Sequence, residues 1–218
     1  MPNRNLTPQE ALTKLKEGNF RFYNNWSINQ DLLQQVKDTQ HGQQPFAAIL
    51  SCMDSRTSAE LIFDLGIGDI FSIRIAGNII SEGILGSLEY ATAAAGAKLI
   101  VILGHTNCGA IKGACDDVKM GNLTGLLDKI KPAIAKETTI KEDRTSNNPD
   151  FVNAVTNLNI HHSLDQVLEK SPVIADLVKE GKVGIIAALY DVSKGIITFY
   201  DDYAVMPQLA KENKEPIA

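Results

Sequence analysis

Two short stretches hold the residue types that do chemistry, Ser51-Cys52-Met53-Asp54-Ser55-Arg56 and Gly104-His105-Thr106-Asn107-Cys108-Gly109. Between them they carry two of the three cysteines and one of the four histidines in a chain of 218 residues. Cys52 and Cys108 thiolates and the His105 imidazole are donors that suit Zn²⁺, and three protein ligands leave one tetrahedral position open. A catalytic zinc uses such a position, because a water there gives up its proton far more readily than in bulk. Asp54 is near enough in sequence to take the fourth corner instead. Arg56 offers the other outcome: a guanidinium can hold a carboxylate through two parallel hydrogen bonds, keep Asp54 off the metal and leave it to accept a hydrogen bond from zinc-bound water.

The elements that must position these residues are legible around them. Residues 46–50 and 98–103 are near-continuous apolar runs of the length of buried parallel strands. Cys52 and His105 are therefore expected just past the carboxyl ends of two strands, the edge at which open α/β sheets bind ligands. If the chain stays extended after Leu50, a period of two points Cys52, Asp54 and Arg56 to one side. A turn entering a helix at Gly109 brings His105 and Cys108 together.

Cys52-Met53-Asp54-Ser55-Arg56 followed by His105-Thr106-Asn107-Cys108 resembles the Cys-x-Asp-x-Arg and His-x-x-Cys motifs of the β-class carbonic anhydrases, and the resemblance runs from about Thr7 to Tyr203. It implies one Zn²⁺ per chain on Cys52, His105 and Cys108, with Asp54 and Arg56 catalytic, and reversible hydration of carbon dioxide to bicarbonate by zinc-bound hydroxide. It also implies substrate contacts from Gln43, nine residues before Cys52, from Phe71, contributed in the family by a neighbouring subunit, and from the Gly109 N–H. Gln43 matches the plant-like branch. Ile49 stands where the bicarbonate-inhibited branch carries a regulatory tryptophan, which argues against that control here. No counterpart of the plant pocket tyrosine is found. Partners implied are the small-molecule substrate and further copies of the chain, as a homodimer or a dimer of dimers.

Composition bounds the alternatives. With 44% hydrophobic and 22% charged residues the chain reads as one globular domain. A formal charge of -5 without a basic stripe argues against nucleic acid. No run reaches the length of a membrane span, and the first residues lack a secretory signal's apolar core, so a cytoplasmic protein is expected unless a signal has been trimmed. Three cysteines do not suggest a disulfide framework.

In chain order, Thr7-Pro8-Gln9-Glu10 reads as a capping box opening a helix that stops near Gly18. Residues 1–45 are expected to form a helical arm, which the resemblance lays across a second subunit, residues 46–207 a single α/β catalytic domain, and residues 208–218 a polar tail. A short helix over 31–40, a strand over 70–75 and a helix from Ser81 to Gly96 follow. Residues 123–137 read as helical, 149–168 as a long helix and 172–181 as another. Strands over 183–190 and 195–200 close the chain as a hairpin. The expected fold is α/β: a mostly parallel sheet of four strands with a fifth, antiparallel edge strand and helices on its faces. Cys115 reads as a core residue, and adjacent His161 and His162 diverge too far on a helix to pair on a metal. Three rivals share the motifs. A carbon disulfide or carbonyl sulfide hydrolase would use the same zinc. A cysteine hydrolase built on Cys108 has Thr106 where its turn wants glycine, and leaves Cys52, Asp54 and Arg56 unused. A non-catalytic zinc domain would need a fourth permanent ligand.

Overall fold

The structure, a computed structural model, describes residues 6–207. Strands β1 (Ala47–Ser51), β2 (Ile70–Arg74), β3 (Leu99–His105), β4 (Gly184–Asp191) and β5 (Ile196–Phe199) form one sheet in the order β2-β1-β3-β4-β5. The first four run parallel and β5 returns antiparallel on β4, as the sequence predicts. The helices are α1 (Pro8–Tyr23), α2 (Leu32–Thr39), α3 (Ala59–Ile62), α4 (Glu82–Glu89), α5 (Gly109–Cys115), α6 (Gly121–Leu127), α7 (Lys131–Lys136), α8 (Pro149–Lys170) and α9 (Pro172–Lys179).

Every residue of β1 and β3 is buried, so both faces of the sheet must be covered. The period of two sends Ala47, Ile49, Val101 and Leu103 into a layer closed by α1 and α3. Ala48, Leu50, Ile100 and Ile102 enter the opposite layer, closed by α4, α8 and α9. A third apolar cluster, with Ile79, Ile111, Ile130, Phe151 and Val155, lies against Cys52 and Cys108 under α5 to α8.

Local chemistry sets most boundaries. Thr7 and Glu10 form the reciprocal capping box, Asp31 accepts from the Gln34 N–H at the start of α2, and Asn148 and Ser171 cap α8 and α9. Gly18 does not end α1. A Cβ there would lie 1.9 Å from the Phe63 carbonyl oxygen, so this glycine permits close approach of α1 to the end of α3. The apolar stripe of α1 is buried on the chain's own sheet, whereas Phe20, Tyr23 and Trp26 at its end stay exposed and α2 buries nothing. The helix from Glu82 passes into a π-helical turn at Tyr90–Ala94 and closes on Gly96 at φ 82°, while the Ser81 hydroxyl makes no capping bond. Residues 123–137 divide into α6 and α7, because Pro132 has no N–H to continue the ladder. The expected tail, 208–218, lies outside the described residues. No described helix is long and apolar enough to cross a membrane.

Candidate metal centre

Ser51 stands opposite Leu103 in the parallel register, so Cys52 leaves β1 alongside Gly104, one position from His105, the last residue of β3. Asn107, at φ 57°, turns the chain so that Cys108 directly precedes α5. The ligand atoms of Cys52, His105 and Cys108 all lie within 4.8 Å of one another, and the three residues are buried. Their sulfurs are 3.8 Å apart. A tetrahedral ion with Zn–S bonds of about 2.3 Å has an S···S edge of about 3.8 Å, so the spacing fits zinc. His105 Nδ1 lies 2.9 Å from the Thr106 carbonyl. A carbonyl only accepts, so Nδ1 carries a proton, and Nε2 is the ring nitrogen placed to give a lone pair to a metal. Nε2 is buried and has no hydrogen-bond partner among the described residues. An orphaned nitrogen beside two sulfurs is costly unless a metal takes the lone pair, and the donor set therefore fits Zn²⁺.

The two sulfurs are driven in opposite directions by their contact. The contact from Cys108, helped by the N–H groups of Gly77 and Asp54, holds Cys52 well below the usual thiol range. The same contact, with burial, pushes Cys108 upward, although the N–H groups of Ile111 and Ala110 favour its thiolate. Cys115, at the end of α5, is half-buried, and burial pushes its thiol up to about 11.

Beyond Ser51 the chain does not stay extended. It turns, with the Thr57 N–H donating to the Asp54 carbonyl at 3.0 Å, and the Asp54–Arg56 pairing arises from this local turn rather than from strand alternation. The Arg56 backbone N–H and Nε each donate to Asp54 Oδ1 at 2.9 Å, and Nη2 donates to Oδ2 at 2.7 Å. These bonds hold the Asp54 carboxyl well below the ordinary carboxylate range. Oδ1 thereby accepts two bonds and Oδ2 one, which leaves Oδ2 a lone pair for a further donor.

Sequence reasoning missed the groups that hold this loop. Thr57 Oγ1 donates to the carbonyls of Cys52 (3.0 Å) and Asp54 (2.9 Å). Arg74 reaches the same two carbonyls, through Nε at 3.2 Å and Nη2 at 2.5 Å. The signal for Arg74 is its place in register with Ser51, at the same carboxyl edge. Gly77 N–H donates to Cys52 Sγ at 3.3 Å.

The structure thus brings Cys52, Asp54, Arg56, His105, Cys108 and Gly109 to one edge, Gly109 as the first residue of α5. Gln43 lies in an exposed segment before β1. Phe71, opposite Ala48 in β2, packs edge-on against Tyr90 at 6.1 Å. It lines a shallow groove of about 380 Å³ with Ile73 and Gly86 that includes none of Cys52, His105 and Cys108. Within one chain neither Gln43 nor Phe71 is brought to the cluster. His161 stacks on Tyr203 and His162 bonds Gln166, both apart from it.

A family model described as carbonic anhydrase matches residues 47–197. Carbonic anhydrase 2 of Mycobacterium tuberculosis is 32% identical over 201 residues, spanning 89% of this chain and 93% of that protein. A carbonic anhydrase of Synechocystis is 30% identical, spanning 88% and 69%. Among solved structures, the β-carbonic anhydrase CcaA matches with a TM-score of 0.69 at 27% identity, over 91% of this chain and 97% of that one. One of two tetrameric β-carbonic anhydrases from Sordaria macrospora matches with a TM-score of 0.67 at 26% identity, over 82% and 92%.

Proposed function

The chain belongs to the β-class carbonic anhydrases, enzymes whose general activity is hydration of carbon dioxide, and from that premise we propose that it interconverts carbon dioxide and bicarbonate at a zinc ion held by Cys52, His105 and Cys108. The observation that carries this reading is the buried convergence of two sulfurs and an unpartnered imidazole nitrogen beside a carboxylate restrained by arginine. Bound there, zinc supplies the Lewis acidity that makes a water nucleophilic near neutral pH. Asp54 Oδ2, with its spare lone pair, would accept a hydrogen bond from a nucleophilic water in the site and orient it. Arg56 occupies the remaining acceptor sites of Asp54 and keeps the carboxylate charged and off the metal. His105 keeps Nε2 turned inward because Thr106 holds Nδ1–H. The N–H of Gly109 orients a substrate oxygen. Two thiolate charges partly neutralise the ion, so the rate should rise with pH through neutrality and beyond.

Gln43 and Phe71 complete this pocket from a second copy. What supports that assignment is their separation from the cluster within one chain, the outer edge of β2, which no strand among the described residues pairs, and the exposed Phe20, Trp26 and Leu33. Sedimentation of the purified protein as a dimer or larger assembly is the expected result, and a monomer with full activity would remove the assignment.

The test is stopped-flow carbon dioxide hydration at pH 7 and 8.5 on protein whose zinc content is measured in the same sample. Activity with about one zinc per chain, rising with pH and lost in Cys52→Ser, supports the reading. Zinc bound without hydration at either pH, or turnover of carbon disulfide instead, overturns it.

A further inference from the structure

The long helix α8 buries a polar stripe that the chemistry above leaves unused. Thr156, Asn159, Ser163 and Gln166 recur at intervals of three, four and three residues on its buried face, among Val155, Ile160, Leu164 and Val167. Asn159 and Ser163 are each 1% exposed. Polar groups this deep are retained only where they are bonded. Asn159 Nδ2 donates to the Gly77 carbonyl at 2.9 Å, and Ser163 Oγ donates to the Asn78 carbonyl at 3.1 Å. Both therefore grip the tight turn whose Gly77 N–H points at Cys52 Sγ.

That turn needs gripping. Gly77 and Asn78 are both at positive φ, 68° and 41°, and a Cβ on Gly77 would come within 3.0 Å of Ile130 Cδ1. A left-handed pair of residues is a poor conformation to leave to its own propensity. The helix reaches the turn because residue 104 is glycine: a Cβ there would lie 2.4 Å from Ile160 Cδ1, the neighbour of Asn159. Gly104 belongs to β3, next to His105, and faces Ile160 of α8, so one close approach serves both the ligand edge and the clamp.

We propose that Asn159 and Ser163 are positioning residues for the Cys52 ligand, acting through the Gly77–Asn78 turn to keep a backbone N–H on its sulfur. This rests on the zinc reading of the site. An N–H···S bond withdraws electron density from a thiolate and fixes its direction, and groups that orient metal ligands in this way typically matter for affinity by about 10- to 100-fold.

Cobalt(II) and zinc(II) are the probes. In the cobalt-substituted full chain, the thiolate-to-cobalt charge-transfer band reports the electron richness of the sulfurs. Asn159→Ala and Ser163→Ala are each expected to move this band to lower energy and to weaken zinc(II) binding, measured by competition with a chromophoric chelator, by roughly 10- to 100-fold. Ser163→Thr, which keeps the hydroxyl, should restore both readouts. An unmoved band and unchanged zinc affinity in folded variants, even with a lowered Tm, would show that the two side chains merely tie α8 to the turn, and would overturn the proposal. If Asn159→Ala does not fold, Ser163→Ala, which deletes a single oxygen, decides. Failure of the zinc reading itself looks different: the unmutated chain would then show no thiolate band, or one whose intensity Cys52→Ser leaves unchanged.

Discussion

Two arginine–carboxylate pairs in this molecule use the same chemistry to opposite ends. Asp54–Arg56 lies at the carboxyl edge of β1, and Glu137–Arg144 closes the loop between α7 and α8. Each carboxylate is held below its ordinary range by hydrogen bonds. The Glu137 side chain is 3% exposed, and its oxygens are spent on Thr139, Ile140 and Arg144, with Arg144 also bonding the carbonyls of Ile134 and Ile140. The Asp54 side chain is 19% exposed and keeps a lone pair on Oδ2. A carboxylate whose acceptor sites are all filled by its own chain serves structure. One with a site left over, beside a metal-ligand cluster, is poised to take a hydrogen bond from something that arrives.

The comparison can be broken first at Arg56. Arg56→Ala releases Asp54, and carbon dioxide hydration should fall by about 100-fold through lost orientation, with zinc retained and Tm little changed. Equal activity in this variant would mean that Asp54 needs no restraint. Glu137→Ala should give the converse: Tm lowered by at least about 5 °C, because Arg144 is left unpaired in a half-buried site, with turnover per zinc unchanged at temperatures where it is folded. A loss of turnover without a loss of Tm would erase the distinction. Arg56→Lys sharpens it more gently, since an ammonium keeps the charge but not the two-pronged geometry, and a loss of roughly 10-fold is expected.

The smallest effect is in pH. Thr139, with the backbone and Arg144, holds Glu137 down to about 2, against about 4.3 for an unperturbed glutamate. A lowered native pKa gives stability that is present above the unfolded value and lost as pH falls toward the native one. The Tm gap between the unmutated chain and Glu137→Gln should therefore be widest above about pH 5 and narrow toward pH 3. A gap that widened with acid would reverse the sign of the argument.

Sequence alone determined what depends on residues near one another in the chain. The capping box at Thr7 and the two apolar runs that became β1 and β3 could be read because cap chemistry and period are local, and the Cys52, His105 and Cys108 donor set because strand ends and the motif resemblance joined residues distant in the chain. So could the capacity of Arg56 to hold Asp54, though the turn that joins them replaced an expected extension. Only the tertiary structure decided what supports the cluster. Thr57, Arg74 and Gly77 bond Cys52, and Asn159 and Ser163 bond the turn at Gly77 and Asn78 from a distant helix, and nothing in their spacing names these partners. Gly18 likewise reads as a helix stop until α1 is seen to close on Phe63, and the approach of α8 to Gly104 shows only in the fold. Phe71 falls away from the ligands within the chain because a strand places its residues by register, which puts it opposite Ala48 and against Tyr90, and Gln43 because the segment before β1 is exposed.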